Sequence, residues 1–131
     1  MKSIDLVRKM LGKSDIPREV QIVMSTIPSD TDINRRNAAR IIHVIMRDIF
    51  HVQDIRDDDK LMEADKLRDL YDCRSCVASI RQVYARGVMG AKYDLESENG
   101  RCVIFGGGDL LEEDDIAWEV VINAIDTHLG L

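Results

Sequence analysis

Residues 67–89, LRDLYDCRSCVASIRQVYARGVM, decide the fold. Arg68, Asp72, Ser75, Ser79, Gln82 and Arg86 recur at alternating steps of four and three, so helical winding gathers them into one polar stripe. Leu67, Leu70, Tyr71, Val77, Ile80, Tyr84 and Val88 form the opposite face, which is wider than a surface helix needs. The expectation is one central helix packed against more than one neighbour. Gly87 and Gly90 should end it, because glycine accepts the left-handed conformation that closes helices.

Upstream of this stretch, Ile4, Val7 and Leu11 predict a short amphipathic helix closed by Gly12. Pro17 and the apolar residues from Val20 to Ile27 predict a second, ending before Pro28. After the turn-forming cluster Ser29-Asp30-Thr31-Asp32, the spacing of Ala38, Ile41, Ile42, Ile45, Met46 and Ile49 predicts a third. Residues 54–60, DIRDDDK, read as a solvated charged connector. A calcium loop there would need a glycine at the bend and a closing glutamate in register, and DIRDDDKLMEAD has neither.

Downstream, residues 93–109 are the least regular part, an irregular glycine-rich loop or at most one short hairpin through Asn99-Gly100 and the run from Arg101 to Phe105. A last helix from about Leu111 carries a narrow polar stripe of Asp115, Glu119, Asn123 and Asp126 on an otherwise apolar surface. These elements give an all-α, or mainly α, fold of about five helices around the central one, in a single domain spanning residues 1–131.

The totals fit that reading. A chain of 131 residues, 45% hydrophobic and 32% charged, is long enough to bury a core without metals or cross-links. The net charge of −6 disfavours a nucleic-acid partner, since phosphate binding needs a basic surface. No stretch is long enough to span a membrane, and Asp5, Arg8 and Lys9 interrupt any export signal at the start, so a cytoplasmic protein is expected. Three cysteines are an odd number, and reduced thiols follow from that setting.

Cys73 and Cys76 have the spacing of a metal or redox pair, but a zinc site needs four ligands, and His43, His51 and His128 stand at no ligand spacing. The expectation is a buried, inert pair on the central helix, with no metal and no cofactor. Gly106-Gly107-Gly108 has the look of a phosphate loop, yet Glu112, Glu113, Asp114 and Asp115 follow it and would repel a phosphate. No catalytic motif unites a nucleophile, a base and an orienting group, so no enzyme is expected.

Ile33-Asn34-Arg35-Arg36-Asn37-Ala38-Ala39, opening an amphipathic helix, resembles the Ile-Thr-Arg-Ala-Glu-Ala-Ala signature of bacterial S-layer homology repeats. Leu67-x-Asp69, a following helix and Gly87-Val88-Met89 resemble the rest of that repeat. Phe105-Gly106-Gly107 followed by Leu111-Glu112-Glu113-Asp114-Asp115-Ile116-Ala117 resembles the glycine loop and a second signature. One full repeat and a half would cover residues 30–126. In the second copy Glu112 replaces threonine, so a capping box of Asp109 and Glu112 would start the last helix early. The family's pattern would start the central helix between Asp69 and Cys73, whereas periodicity lets it run back to Ala64.

The resemblance implies a non-enzymatic binding module. Family members anchor proteins to bacterial cell walls through anionic polysaccharide, but Glu113 and Ser75 replace the signature arginine and tryptophan, so protein association ranks first. Polysaccharide binding ranks second, and a metal or redox role for Cys73 and Cys76 third. Asn34, Arg35, Arg36 and Arg40 are the candidate ligand-binding residues, a local basic cluster in an acidic chain. Trp118, Ile122, Ile125 and Leu129 line one apolar side of the last helix and are the candidate homodimer interface. The competing cover for that side is the N-terminal helix.

Overall fold

The computed structural model describes residues 1–12 and 15–129, the side chains of residues 128 and 129 excepted. The described residues form six α-helices and one two-stranded antiparallel sheet, a largely helical but mixed α/β domain. That sheet corrects the all-α expectation. Strands β1 (Tyr93–Ser97) and β2 (Gly100–Ile104) pair from Tyr93↔Ile104 to Ser97↔Gly100. Arg68 N–H adds a bond to the Val103 carbonyl at 2.9 Å, which ties the hairpin to the body. The run from Arg101 shows in the sequence. Its partner YDLES is exposed throughout, and Asp94 and Glu96 are residue types depleted in strands.

Helix α1 (Ser3–Leu11) opens with the Lys2 amide donating to Asp5 at 2.9 Å and closes at Gly12, φ 71°, as its spacing predicts. Helix α2 (Arg18–Met24) follows Pro17. In α3 (Arg35–Val44) the Asn34 side chain caps the first turn, accepting from the Asn37 amide at 2.9 Å. One wider π turn, Ile45–Ile49, extends it. Ala38, Ala39, Ile41, Ile42, Ile45 and Met46 are all buried, and α3 packs on α1, α2 and α5, so it is the hub of the core.

The charged connector hides a helix. Asp57 caps α4 (Asp58–Asp65) by accepting from the Asp59 and Lys60 amides at 3.0 and 3.3 Å. Asp58 and Asp59 then stand in the first turn, where acids stabilise the helix dipole. Those aspartates repel one another as a loop but suit a helix start.

The single central helix is also corrected. Residues 67–89 divide into two 3₁₀ turns, Leu70–Asp72 and Arg74–Cys76, and then α5 (Val77–Arg86). Cys73 is extended, φ −134° and ψ 105°, and is joined by a disulfide to Cys76. The pair therefore precedes the helix rather than lying within it, and its thiols are not the reduced, inert ones expected. Tyr71, assigned to the buried face, is 69% exposed, while Leu67, Leu70, Ile80 and Val88 do line the core, joined by Val83, which lies outside the face so assigned. Gly87, φ 83°, ends α5 in the left-handed region.

The last helix, α6 (Trp118–Leu129), begins later than expected. Asp109 does not cap it. Instead Asp115 accepts from the Glu112 amide at 2.6 Å, closing a 3₁₀ turn over Glu113–Asp115, and Ile116 is extended. No helix among the described residues is long and apolar enough to cross a membrane.

Candidate functional site

The two stretches that resemble repeat signatures meet. Asn34 and Leu110 form an antiparallel bridge, and the Arg35 and Arg36 amides donate to the Asp109 and Gly107 carbonyls at 2.9 and 3.0 Å. The first turn of α3 thus finds acceptors for amides that a helix start leaves unpaired.

Arg35 is buried at the centre of this junction. Its Nη1 meets Asp115 at 2.6 Å, its Nε donates to the Phe105 carbonyl at 3.0 Å, and its Nη2 donates to the Gly90 carbonyl. The guanidinium also lies 4.9 Å from the Phe105 ring centroid. Facing an outside anion would break all of these contacts. Arg35, a candidate ligand-binding residue in the sequence, here fastens the two stretches together.

Asp69 holds the glycine loop from the other side, accepting from the Phe105, Gly106 and Gly107 amides at 2.8, 2.9 and 3.2 Å. Consecutive amides pointing inward make a nest that suits an anion, and here the protein's own carboxylate fills it. Gly106, φ 78°, turns the chain where a Cβ would come within 3.0 Å of Lys92 Cβ.

The other predicted ligand residues do not converge. Asn34 is occupied as a cap. Arg40 donates to Asn37 Oδ1 at 3.3 Å and Thr26 Oγ1 at 2.7 Å, and partial burial pulls its pKa down. Arg36 lies along Gly107 and Gly108, half-buried, with no ion pair among the described residues. Three arginines within six residues of sequence thus face three environments.

One constellation was not legible in the sequence. His43, 6% exposed, has Ser79 Oγ 3.0 Å from Nδ1 and Asp54 Oδ1 2.9 Å from Nε2. A hydroxyl, an imidazole and a carboxylate thus come together here. The cavity beside His43 measures about 10 Å³, room for one water. The trio fits the fold, joining α3, α5 and the segment after the π turn.

The predicted interface residues do come together. Trp118, Val121, Ile122 and Ile125 on α6 and Lys9 and Met10 on α1 line an open groove of about 340 Å³. Ile122 is 53% exposed at its centre. The N-terminal helix covers only one margin, where Lys9 Nζ lies 5.0 Å from the Trp118 ring centroid. Leu129 belongs to α6, but its side chain lies outside the described residues. Helical periodicity places Glu119 and Asp126 along the opposite margin, so the groove has a basic edge on α1 and an acidic edge on α6. The sequence missed Lys9 and Met10 because their place depends on how α1 docks. No family model, curated protein or solved structure matches the chain.

Proposed function

We propose that this chain is a non-enzymatic interaction module resembling S-layer homology repeats, and that it associates with a second copy of itself through the α1–α6 groove. The carrying observation is the groove itself: a half-exposed isoleucine flanked by Trp118 and Ile125, on a helix whose remaining apolar side is already packed. The opposed charged margins favour a second copy over a lipid surface. A two-fold axis through the groove would set the basic α1 edge of each chain against the acidic α6 edge of the other. A cytoplasmic setting belongs to the same proposal.

Sedimentation velocity at micromolar concentration tests it. The wild type should sediment as a dimer and Ile122→Glu as a monomer with unchanged circular dichroism, since a side chain 53% exposed in the monomer tolerates a charge. A wild type that is monomeric at such concentrations removes the proposal. A second reading, binding of anionic wall polysaccharide, keeps one supporting residue: Arg36, which lies along the glycine loop without an ion pair among the described residues. Retention of the protein on pyruvylated wall polysaccharide, abolished by Arg36→Ala, would favour that reading instead.

A further inference from the structure

The Cys73–Cys76 disulfide stands at a place and in a setting that a structural staple does not need. It closes a ring between residues three apart in sequence, and so restricts the unfolded chain less than a cross-link between distant segments would. Cys76 belongs to the core cluster around α3, and Cys73 packs against that cluster from its edge. Its two sulfurs differ sharply in access: Cys76 is fully buried, whereas Cys73 is partly exposed with its sulfur 3.4 Å from Ser75 Oγ. Cys76 immediately precedes Val77, the first residue of the ten-residue helix α5, where the helix dipole stabilises a thiolate. Cys102, on β2, takes no part in the bond.

We propose that Cys73–Cys76 is a thiol–disulfide exchange site whose reactants are thiols, either small or carried by a protein. An incoming thiolate attacks Cys73 Sγ, the sulfur that solvent reaches. The Cys73–Cys76 bond breaks, a mixed disulfide forms on Cys73, and the electron pair leaves on Cys76 as a thiolate at the start of α5. A second thiolate then attacks the incoming group's sulfur, releasing the reactants as their disulfide and Cys73 as its thiolate. The net change is two thiols oxidised to one disulfide, with their two protons and two electrons accounted for by the Cys73–Cys76 dithiol. An added disulfide runs the sequence backwards.

The probe is the glutathione couple, applied to folded protein carrying Cys102→Ser so that the third thiol does not report. Samples equilibrated at a series of reduced-to-oxidised ratios are acid-quenched, alkylated and mapped by peptide mass. The parent protein should pass reversibly between disulfide and dithiol with unchanged circular dichroism. Cys76→Ser should accumulate a glutathione adduct on Cys73, and Cys73→Ser should give at least about tenfold less adduct on Cys76. A bond that stays intact in the folded protein at ratios that reduce it in urea overturns the proposal, as does a dithiol that oxidised glutathione does not re-oxidise. Equal adduct formation on either cysteine overturns the assigned roles. The titration of the parent protein stands even where a serine variant does not fold.

Discussion

Arg35→Ala should be among the most destabilising single substitutions in this chain. Arg35 and Asp115 are 3% and 16% exposed, and the guanidinium also donates to the carbonyls of Phe105 and Gly90. Three charge-assisted contacts counted separately would come to roughly 4.5–9 kcal/mol, an overestimate because they share one group and Asp115 regains some water. Breaking a buried pair from one side costs about 3–5 kcal/mol, and that is the expected loss here. Arg35→Lys keeps the charge but not the planar fork that reaches a carboxylate and two carbonyls together, so it should lose roughly 1–3 kcal/mol. Equilibrium urea unfolding followed by far-ultraviolet circular dichroism measures both. A loss under about 1 kcal/mol for Arg35→Ala would place the pair with exposed salt bridges and refute the fastening role.

Asp69→Ala should cost at least about 1.5–3 kcal/mol and empty the amide nest, so that sulfate raises the variant's urea midpoint more than the wild type's. Equal sulfate effects on both proteins would contradict the nest. Ile80→Ala, at a position 2% exposed, should cost about 2–5 kcal/mol in the same assay, and a loss under about 0.5 kcal/mol would mean that the α5 face is not packed. In the hairpin, hydrogen bonding from Arg101 holds the Asp94 carboxyl below its ordinary 3.8. A lowered acid pKa contributes stability above pH 3.8 that is lost as pH falls through the folded value, so the Asp94 carboxyl signal should titrate below 3.8. Titration of Asp94 at its ordinary value, followed by nuclear magnetic resonance, would contradict this.

Local chemistry was legible where one residue's own properties decide the structure. Gly12 and Gly87 end helices at positive φ, Asn34 caps α3, and the apolar spacing of α3 gives the hub of the core. The apolar side of α6 was legible too, from its narrow polar stripe. What the sequence hid depends on distant partners. Periodicity alone runs one helix through residues 67–89, yet Asp69 is held by the amides of residues 105–107 and Cys73 by its bond to Cys76, and both interrupt the winding. Arg35 has the sequence neighbourhood of a surface cluster and the environment of a core residue because Asp115 and Phe105 arrive from far along the chain. Ser79, His43 and Asp54 are likewise united only by the packing of α3 on α5.

Association through the α1–α6 groove is tested most directly by isotope-filtered nuclear Overhauser measurements on a mixture of labelled and unlabelled chains. The Ile122 and Ile125 methyls of labelled protein should show cross-peaks to Trp118 and Met10 protons of unlabelled protein, and these should vanish in Ile122→Glu. A dimer whose intermolecular cross-peaks map elsewhere, or no intermolecular cross-peaks at millimolar protein, would contradict the account.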